Sequence, residues 1–300
     1  MNEDYLWDRS GPPDLEIVRL EQTLAPLRYR GQKMPAPRRS RAAWPVAAAV
    51  IAAAAGLVLI AAPPAPATAW ELDGAHLRRG QMLRTGSAPV RLEDSRVGQV
   101  DLGAHSVLRA TADKRLTLER GQLHAFIWAR AGEFVVETPS ARAIDLGCEY
   151  TLNVDARGEG LLQVSMGWVA FRAAGRESFI PAGAVCATRK GSGPGVPYFE
   201  DAGEGLRRAL ARWEEGDGGA LREVLAAARP RDGLTVWHLL TRVSEKERGM
   251  VFDRFRELTP GSSTVSRESA VRGEARAMDE CWNALGLENT EWWRGWERAW

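Results

Sequence analysis

The chain has 300 residues, of which 45% are hydrophobic and 26% are charged, and its formal net charge at pH 7 is +1. This is an ordinary globular composition with room for about two domains, and its near-neutral balance argues against a nucleic-acid partner. Three cysteines, none of them in a Cys-x-x-Cys arrangement, are too few for a disulfide scaffold and lack the usual zinc-site spacing.

The N-terminal segment, residues 1–43, contains one amphipathic stretch. Pro13 and Asp14 suit a helix start, and apolar residues then recur at helical spacing. One helix with an aromatic cluster beside it cannot bury a core alone. We therefore expect a partner to cover its apolar face, as in helix-in-groove binding; a disordered tail with one nascent helix is the alternative. The candidate partner-binding residues are Tyr5, Leu6, Trp7, Leu15, Val18, Leu20 and Leu24.

An uncharged stretch between Arg41 and Glu71 predicts a transmembrane helix over residues 44–62. About 20 mostly apolar residues are enough to cross a bilayer. A buried soluble helix is the alternative, although the stretch lacks the polar stripe of a surface helix. Basic residues favour the cytoplasmic side, so the N-terminus is expected inside and the C-terminus outside. The basic residues before the stretch are Arg28, Arg30, Lys33, Arg38, Arg39 and Arg41.

The same stretch has a second interpretation as a secretory signal. Residues 67–69 read Ala-Thr-Ala, which is the small-x-small form of a signal-peptidase site, so Ala69 is a candidate cleavage point. The segment that precedes the apolar stretch is 43 residues long, whereas the n-region of a signal peptide is short. This difference favours a retained span.

Between residues 70 and 200 the hydrophobic period changes to two, which predicts a β domain. Alternating segments flank a turn at Gly121 (115–119 and 123–128) and another at Gly167 (161–164 and 168–171). Short strands with glycine turns between them are typical of a sandwich, a barrel or a solenoid, and the repeated unit favours a solenoid-like stack. Further strands are predicted at 134–137, 143–146, 150–154, 179–180 and 184–188. The predicted core is Leu116, Leu118, Leu123, Ile127, Val135, Leu162, Val164, Val169 and Phe171.

The β domain holds candidate site residues but no catalytic pattern. Cys148 and Cys186 form a possible disulfide if their Cα atoms lie within about 7 Å of each other, and two separate buried thiols are the alternative. His124 is expected on a polar strand face. The histidines are scattered, and no nucleophile–base pair stands out. We therefore expect no enzyme activity, no metal and no cofactor.

After a Gly/Ser/Pro-rich linker at 191–195 the period becomes helical, which predicts a C-terminal all-α domain over 203–300. Its form is expected to be a small bundle or a HEAT-like array. The tryptophans are expected in the packing between helices rather than in a sugar site, with Trp300 a candidate for contact with another surface and His238 half-buried. Helices are predicted at 206–213, 220–228, 234–243 and 268–285 and after residue 289. A further helix is predicted to follow a capping box formed by Ser244 and Glu247 and to extend to residue 255.

Residues 115–189 resemble the FecR domain. The likeness is an ordered series of short motifs, and the series is more specific than any one of its glycine turns. The motifs are Leu-Glu-Arg-Gly at 118–121, Phe-Val-Val-Glu-Thr-Pro at 134–139, Leu-Gly-Cys-Glu-Tyr at 146–150, Val-x-x-Gly-x-Val at 164–169 and Pro-Ala-Gly at 181–183.

This resemblance implies a function as well as a layout. FecR proteins have a short cytoplasmic segment, one span and a periplasmic β domain, and they regulate extracytoplasmic-function sigma factors. It therefore implies a single-pass inner-membrane protein whose N-terminal segment binds such a sigma factor and whose periplasmic part senses an envelope or outer-membrane partner. The alternative is an envelope-binding scaffold whose β domain recognises polysaccharide or peptidoglycan.

Overall fold

Sixteen strands and then six α-helices make up the part of the chain that the computed structural model describes, which is residues 70–72, 75–173 and 175–287. The strands are β1 Trp70–Leu72, β2 Ala75–Leu77, β3 Met82–Arg84, β4 Val90–Asp94, β5 Gly98–Leu102, β6 Val107–Ala112, β7 Arg115–Ile127, β8 Val135–Glu137, β9 Arg142–Asp145, β10 Glu149–Val154, β11 Gly160–Met166, β12 Trp168–Ala173, β13 Arg176–Pro181, β14 Ala184–Arg189, β15 Gly193–Pro194 and β16 Tyr198–Phe199. The helices are α1 Glu204–Glu214, α2 Ala220–Ala227, α3 Gly233–Leu240, α4 Glu245–Leu258, α5 Arg267–Arg272 and α6 Ala275–Ala284.

Two sheets share the long strand β7. Its first half pairs with β6 and β8 in sheet B, which continues through β9 and β12 to β13. Its second half pairs with β5 and β10 in sheet A, which continues through β11 to β14. Within the described residues every pair of strands is antiparallel except β7 with β8.

A bend at Gly121 lets β7 serve both sheets. Leu116 and Leu118 are buried before the bend, whereas Leu123 and Ala125 are buried after it, so the buried positions change from even to odd numbers. Such a change in phase is what one extra residue in a strand produces, and bulges of this kind also bend the strand. The two predicted strands on either side of a Gly121 turn are therefore one strand, because the chain changes sheets there instead of reversing.

Glycines also mark later crossings between the sheets. The chain passes from sheet B to sheet A near Gly147, returns to sheet B at Gly167 and passes again to sheet A near Gly183. Gly167 has φ +70°, and a Cβ atom there would lie 1.9 Å from the carbonyl oxygen of Gly147. Two crossings are thus in direct backbone contact, so only glycine fits at Gly167.

The prediction of a β domain with this core is confirmed, and the solenoid preference is wrong. All nine predicted core residues are buried. A solenoid stacks its coils side by side, but here the predicted strands pair as antiparallel neighbours in two sheets. The predicted strands at 134–137, 143–146, 150–154, 179–180 and 184–188 correspond to β8, β9, β10, β13 and β14.

The helices match the predicted ones with one difference. Ser244 caps α4 together with Glu247, whose Oε2 accepts from Ser244 N at 3.2 Å. The predicted helix at 268–285 is divided into α5 and α6, because Gly273 adopts a left-handed conformation with φ 70° that ends α5. The segment after 289 lies outside the described residues.

Helix α3 is the centre of the helical part. Each of its eight residues is buried. Trp237 in α3 packs against Trp282 in α6 at 4.6 Å between ring centroids, which confirms the expected packing role for Trp237. The tryptophans after residue 289 lie outside the described residues. Trp282 also contacts Trp168 and Phe179 in sheet B, at 5.7 and 5.6 Å. Helices and sheets therefore share one hydrophobic core.

The structure corrects one prediction about a single residue and agrees with one of the two alternatives for a cysteine pair. His238 is fully buried, not half-buried, because it lies between α3 and sheet B. Cys148 and Cys186 are free thiols that contact different partners, Asp145 for the first and the carbonyl of Gly195 for the second, so the disulfide alternative is not the one realised.

The predicted span at 44–62, the possible cleavage point at Ala69 and Trp300 lie outside the described residues. Among the helices that are described, none is both long enough and apolar enough to cross a membrane.

We expect Gly121→Ala to lower the free energy of unfolding by about 3 kcal/mol or more. The new Cβ atom would lie 2.2 Å from Ser106 Oγ and 2.5 Å from Ser106 Cα, at a φ of +101°. Gly80→Ala is the matched control, because Gly80 has φ +87° with no atom within 4 Å of the Cβ position. It should cost only the backbone strain, about 1–2 kcal/mol. Equal losses for the two variants in denaturant unfolding would contradict this account of the bend.

Candidate functional site

The predicted sigma-factor contacts lie outside the described residues. These are Tyr5, Leu6, Trp7, Leu15, Val18, Leu20 and Leu24. The structure does describe two features able to interact with other molecules: a seam where the helices meet sheet B, and the solvent-facing side of sheet A.

The seam, formed by β13, the turn at 194–197 and helix α3, is held by polar contacts. Phe179 N donates to His238 Nε2 at 3.1 Å, and His238 Nδ1 lies 2.9 Å from the carbonyl of Leu234. Because Nε2 accepts, the proton of the neutral ring is on Nδ1. Thr235 Oγ1 donates to the carbonyl of Pro197 at 2.9 Å. Two side chains one turn apart in helix α3 thereby join it to strand β13 and to the turn at Pro197.

Arg242, just after α3, places a charge in the same seam. Its guanidinium donates to Ser178 Oγ at 2.5 Å and to the carbonyl of Pro194 at 3.1 Å, and it reaches the carbonyl of Glu177 at 3.4 Å. All of these partners are neutral. Burial lowers the pKa of Arg242 to about 10, so the side chain stays charged at neutral pH. Cys186 lies nearby, and burial raises the pKa of its thiol to about 12.

A cavity of about 180 Å³ opens at this seam, and we call it the arginine cavity. Its wall includes Arg176, Arg189, Arg242, Trp213 and Glu214, and the rest of its lining is uncharged. Three arginines and one glutamate give the lining a formal charge of +2. A cavity of this size has room for several water molecules or a small ion.

The one carboxylate of the arginine cavity is already engaged. Glu214 Oε1 accepts from Val196 N at 2.6 Å, and Oε2 lies 3.3 Å from Arg189 Nη1. Arg189 also pairs with Glu215 at 3.3 Å. Gly195 permits this arrangement, since a Cβ atom there would lie 2.6 Å from Glu214 Oε1. The charges of Arg176 and Arg242 are left without a carboxylate at ion-pair distance in the described part of the chain.

The second feature, which we call the open face, is the solvent-facing side of sheet A. Phe126 and Trp128 are 40% and 51% exposed and form an edge-to-face pair at 5.9 Å. Trp128 Nε1 donates to the carbonyl of Ser95 at 2.9 Å, which fixes its ring. Polar pairs across the strands surround the two rings, and they are His124 with Glu149 at 3.1 Å, Gln122 with Asn153 at 3.1 Å and Arg91 with Asp101 at 2.7 Å.

A buried acidic group lies at the crossing near Gly147. Asp145 is 1% exposed, its Oδ1 accepts from Gly147 N at 2.8 Å, and the thiol of Cys148 donates to its Oδ2. Burial raises the pKa of Asp145 to about 7 in spite of these two hydrogen bonds. The carboxyl is therefore a titratable group inside the core of the β part.

The sequence predicted none of the charged residues of the arginine cavity. Arg176 lies in strand β13, Glu214 in helix α1 and Arg242 just after helix α3, so no local motif joins them. Trp128 was predicted only as the end of a strand. Trp128 is two positions after Phe126, and residues two apart in a strand lie on the same face. The sequence therefore did place the two aromatic rings together.

No family model matches the chain, and no curated protein matches it. It is similar to two crystal structures of a candidate anti-sigma factor from Parabacteroides distasonis, at 1.65 and 2.50 Å resolution, with 16% sequence identity and a TM-score of 0.35. The similarity covers 45% of this chain and 65% of theirs. A TM-score this low defines neither a family nor an activity for the chain.

Two buried groups should give the free energy of unfolding opposite pH dependences between about pH 4 and 6.5. Folded Asp145, with its pKa raised to about 7, keeps a proton that the unfolded chain releases, so its contribution falls as the pH rises. Burial lowers the pKa of His238 to about 3, so the folded protein excludes a proton that the unfolded chain binds, and stability falls as the pH drops below 6.5. Each slope is at most about 1.4 kcal/mol per pH unit.

Single substitutions should separate the two slopes. We expect Asp145→Asn to make stability rise more steeply with pH than in the wild type, because only the His238 effect remains. His238→Gln, which keeps an acceptor for Phe179 N, should make stability fall with pH. Urea unfolding at pH 4.5, 5.5 and 6.5 measures the slopes, and three parallel profiles would refute both assignments.

Proposed function

We propose that the chain is a single-pass inner-membrane regulator that binds an extracytoplasmic-function sigma factor. In this proposal the N-terminal segment binds the sigma factor in the cytoplasm, and the sheets and helices of residues 70–287 lie on the periplasmic side. The protein then carries a signal from the envelope to transcription and performs no catalysis of its own.

The observation that carries the proposal is the charge pattern around residues 44–62. No charged residue occurs between Arg41 and Glu71, and six basic residues precede this gap within a short stretch. A hydrophobic segment with basic residues on one side predicts both insertion and orientation. External protease added to spheroplasts should therefore digest residues 70–287 and spare the N-terminal segment; digestion of both would place them on one side and end the proposal.

The resemblance to the FecR domain supports the regulatory part. Its motifs fall at structurally demanding positions: Gly121, Gly147, Gly167 and Gly183 lie where β7 or the connection between strands changes sheets. The helix predicted in the N-terminal segment would have an apolar face and no core of its own, so it would need a partner. A sigma factor is the partner that this resemblance implies.

The amphipathic segment should hold the sigma factor through its apolar face. We expect the double substitution Leu20→Asp and Leu24→Asp to reduce co-purification at least about tenfold, because two carboxylates on the contact face would be buried without partners. The measurement is affinity capture of the full-length protein from its native host, with sigma factors quantified by mass spectrometry.

Thr23→Asp is the matched control. It adds the same chemical group to the same predicted helix but on its polar side, because residue 23 is one turn from Arg19 and two turns from Glu16. Capture should be unchanged in this variant. If no sigma factor is captured by the wild type, or if the double variant retains it fully, the N-terminal segment does not have this role.

The open face supports a second candidate function, binding to envelope glycans. Aromatic rings that stand among amide, carboxylate and imidazole groups suit flat, hydroxyl-rich ligands, because a ring covers the apolar side of a sugar while the polar groups meet its hydroxyls. Phe126 and Trp128 supply such rings, and the pairs His124–Glu149 and Gln122–Asn153 lie beside them. This function would give the periplasmic part an anchor or a sensor.

Trp128→Ala should lower binding of the full-length protein to isolated peptidoglycan or envelope polysaccharide about fivefold, through loss of the stacking surface. Met250→Ala removes an exposed apolar side chain of α4, 38% exposed, and should have no effect. Sedimentation with the insoluble glycan measures the bound fraction. Equal binding of both variants, or no binding by the wild type, would exclude the open face as a glycan site.

A further inference from the structure

We infer that the arginine cavity is a binding site for a small phosphate-bearing molecule. The inference goes beyond the proposed regulator function and does not depend on it, since it concerns only residues 176–242. It is drawn from the charge of the cavity, its size and the elements that line it.

The charges favour an anion with more than one negative charge. Arg176 and Arg242 both line the cavity, and no carboxylate in the described chain lies within ion-pair distance of either. Burial is the main cause that lowers the pKa of Arg242, and the positive charge of Arg176 lowers it further, whereas the charge of Glu214 raises it. Glu214 offsets only part of the positive charge, because it also pairs with Arg189, and the lining keeps a formal charge of +2.

The type of cation favours an oxyanion. A guanidinium group is a planar fork of donors that matches phosphate oxygens, and arginine is the side chain most used where such recognition is needed. Arg242 is also pre-positioned: Ser178 Oγ and the carbonyl of Pro194 hold its guanidinium at 2.5 and 3.1 Å. A fixed buried guanidinium loses little freedom when it binds a ligand.

The size of the cavity limits the rest of the ligand. At about 180 Å³ it is smaller than the roughly 300–1,000 Å³ of pockets for drug-sized molecules. It therefore suits inorganic phosphate or a phosphate ester with a small organic group. The partly exposed indole of Trp213 forms one wall, where an organic group could lie against the ring.

The location gives binding a structural consequence. Arg176 and Arg189 belong to strands β13 and β14, Trp213 to helix α1, and Arg242 follows helix α3. An anion held by these side chains would join the sheets to two helices. Because a ligand that binds only the folded state stabilises it by mass action, phosphate should also raise the melting temperature.

The test is a titration of the full-length protein in mild detergent with sodium phosphate, followed by calorimetry at ionic strength held constant with chloride. We expect one saturable site per chain. Arg176→Gln should weaken the affinity at least about tenfold, because it removes one charge-assisted contact. Arg176 is exposed and makes no described ion pair, so melting in chloride should stay at the wild-type value.

The matched control is Arg157→Gln, which removes an arginine that is 79% exposed on the loop between β10 and β11, and it should bind phosphate like the wild type. Acetate provides the test of ligand class and should bind more weakly than phosphate. The inference is overturned if phosphate shows no saturable binding, if Arg176→Gln binds as tightly as the wild type, if Arg157→Gln is weakened equally, or if acetate binds more tightly.

Discussion

The fold depends on the close approach of backbone segments where the chain changes sheets. At Gly121 the shared strand β7 comes so near to Ser106 that a Cβ atom would lie 2.2 Å from its hydroxyl oxygen, and at Gly167 the carbonyl of Gly147 occupies the place of a side chain. Ser106 Oγ also accepts from Gln122 N at 3.0 Å, so the hydroxyl fastens the bend that it crowds. These contacts allow both halves of β7 to direct their leucines into one core, and every later strand is placed by pairing with that framework.

For the β part, the sequence is a better guide to which residues are buried than to how the strands are arranged. Alternation identifies a buried face, and Leu116, Val164 and Phe171 were assigned correctly. Alternation does not identify the neighbour of a strand, which is why a solenoid was preferred. The parity change from Leu118 to Leu123 does not separate the two arrangements, because a two-residue hairpin turn also brings positions of opposite parity onto one face. Strands such as β3 Met82–Arg84 gave no signal, because none of their residues is fully buried.

One candidate site can be recognised from the sequence, and the other can be recognised only from the tertiary structure. An amphipathic segment such as the one containing Leu20 and Leu24 is visible in the sequence, because its face is made by neighbours in one helix. The arginine cavity is not visible, since Arg176 and Arg242 meet only after the helices have docked on sheet B. Arginines are common in this chain, so their number gives no indication of which ones become buried. Only the tertiary structure distinguishes Arg242, which has neutral partners, from Arg91, which pairs with Asp101 on the surface.

The stability of the seam depends on the positive charge of Arg242. A buried charge with only neutral partners is costly, and cores of similar volume built from apolar residues are often more stable. Arg242 is close to this case, because its hydrogen-bond partners are neutral and Glu214 offsets only part of its charge. It lies where helix α3, itself buried along its whole length, meets the edge of sheet B. The contact between Phe179 N and His238 Nε2 crosses the same boundary. Without a bound anion the seam has a positive charge that lacks a counter-ion, and a bound anion would supply one. The free and bound states would then differ in free energy. A ligand can shift the arrangement of the helices against the sheet only through such a difference.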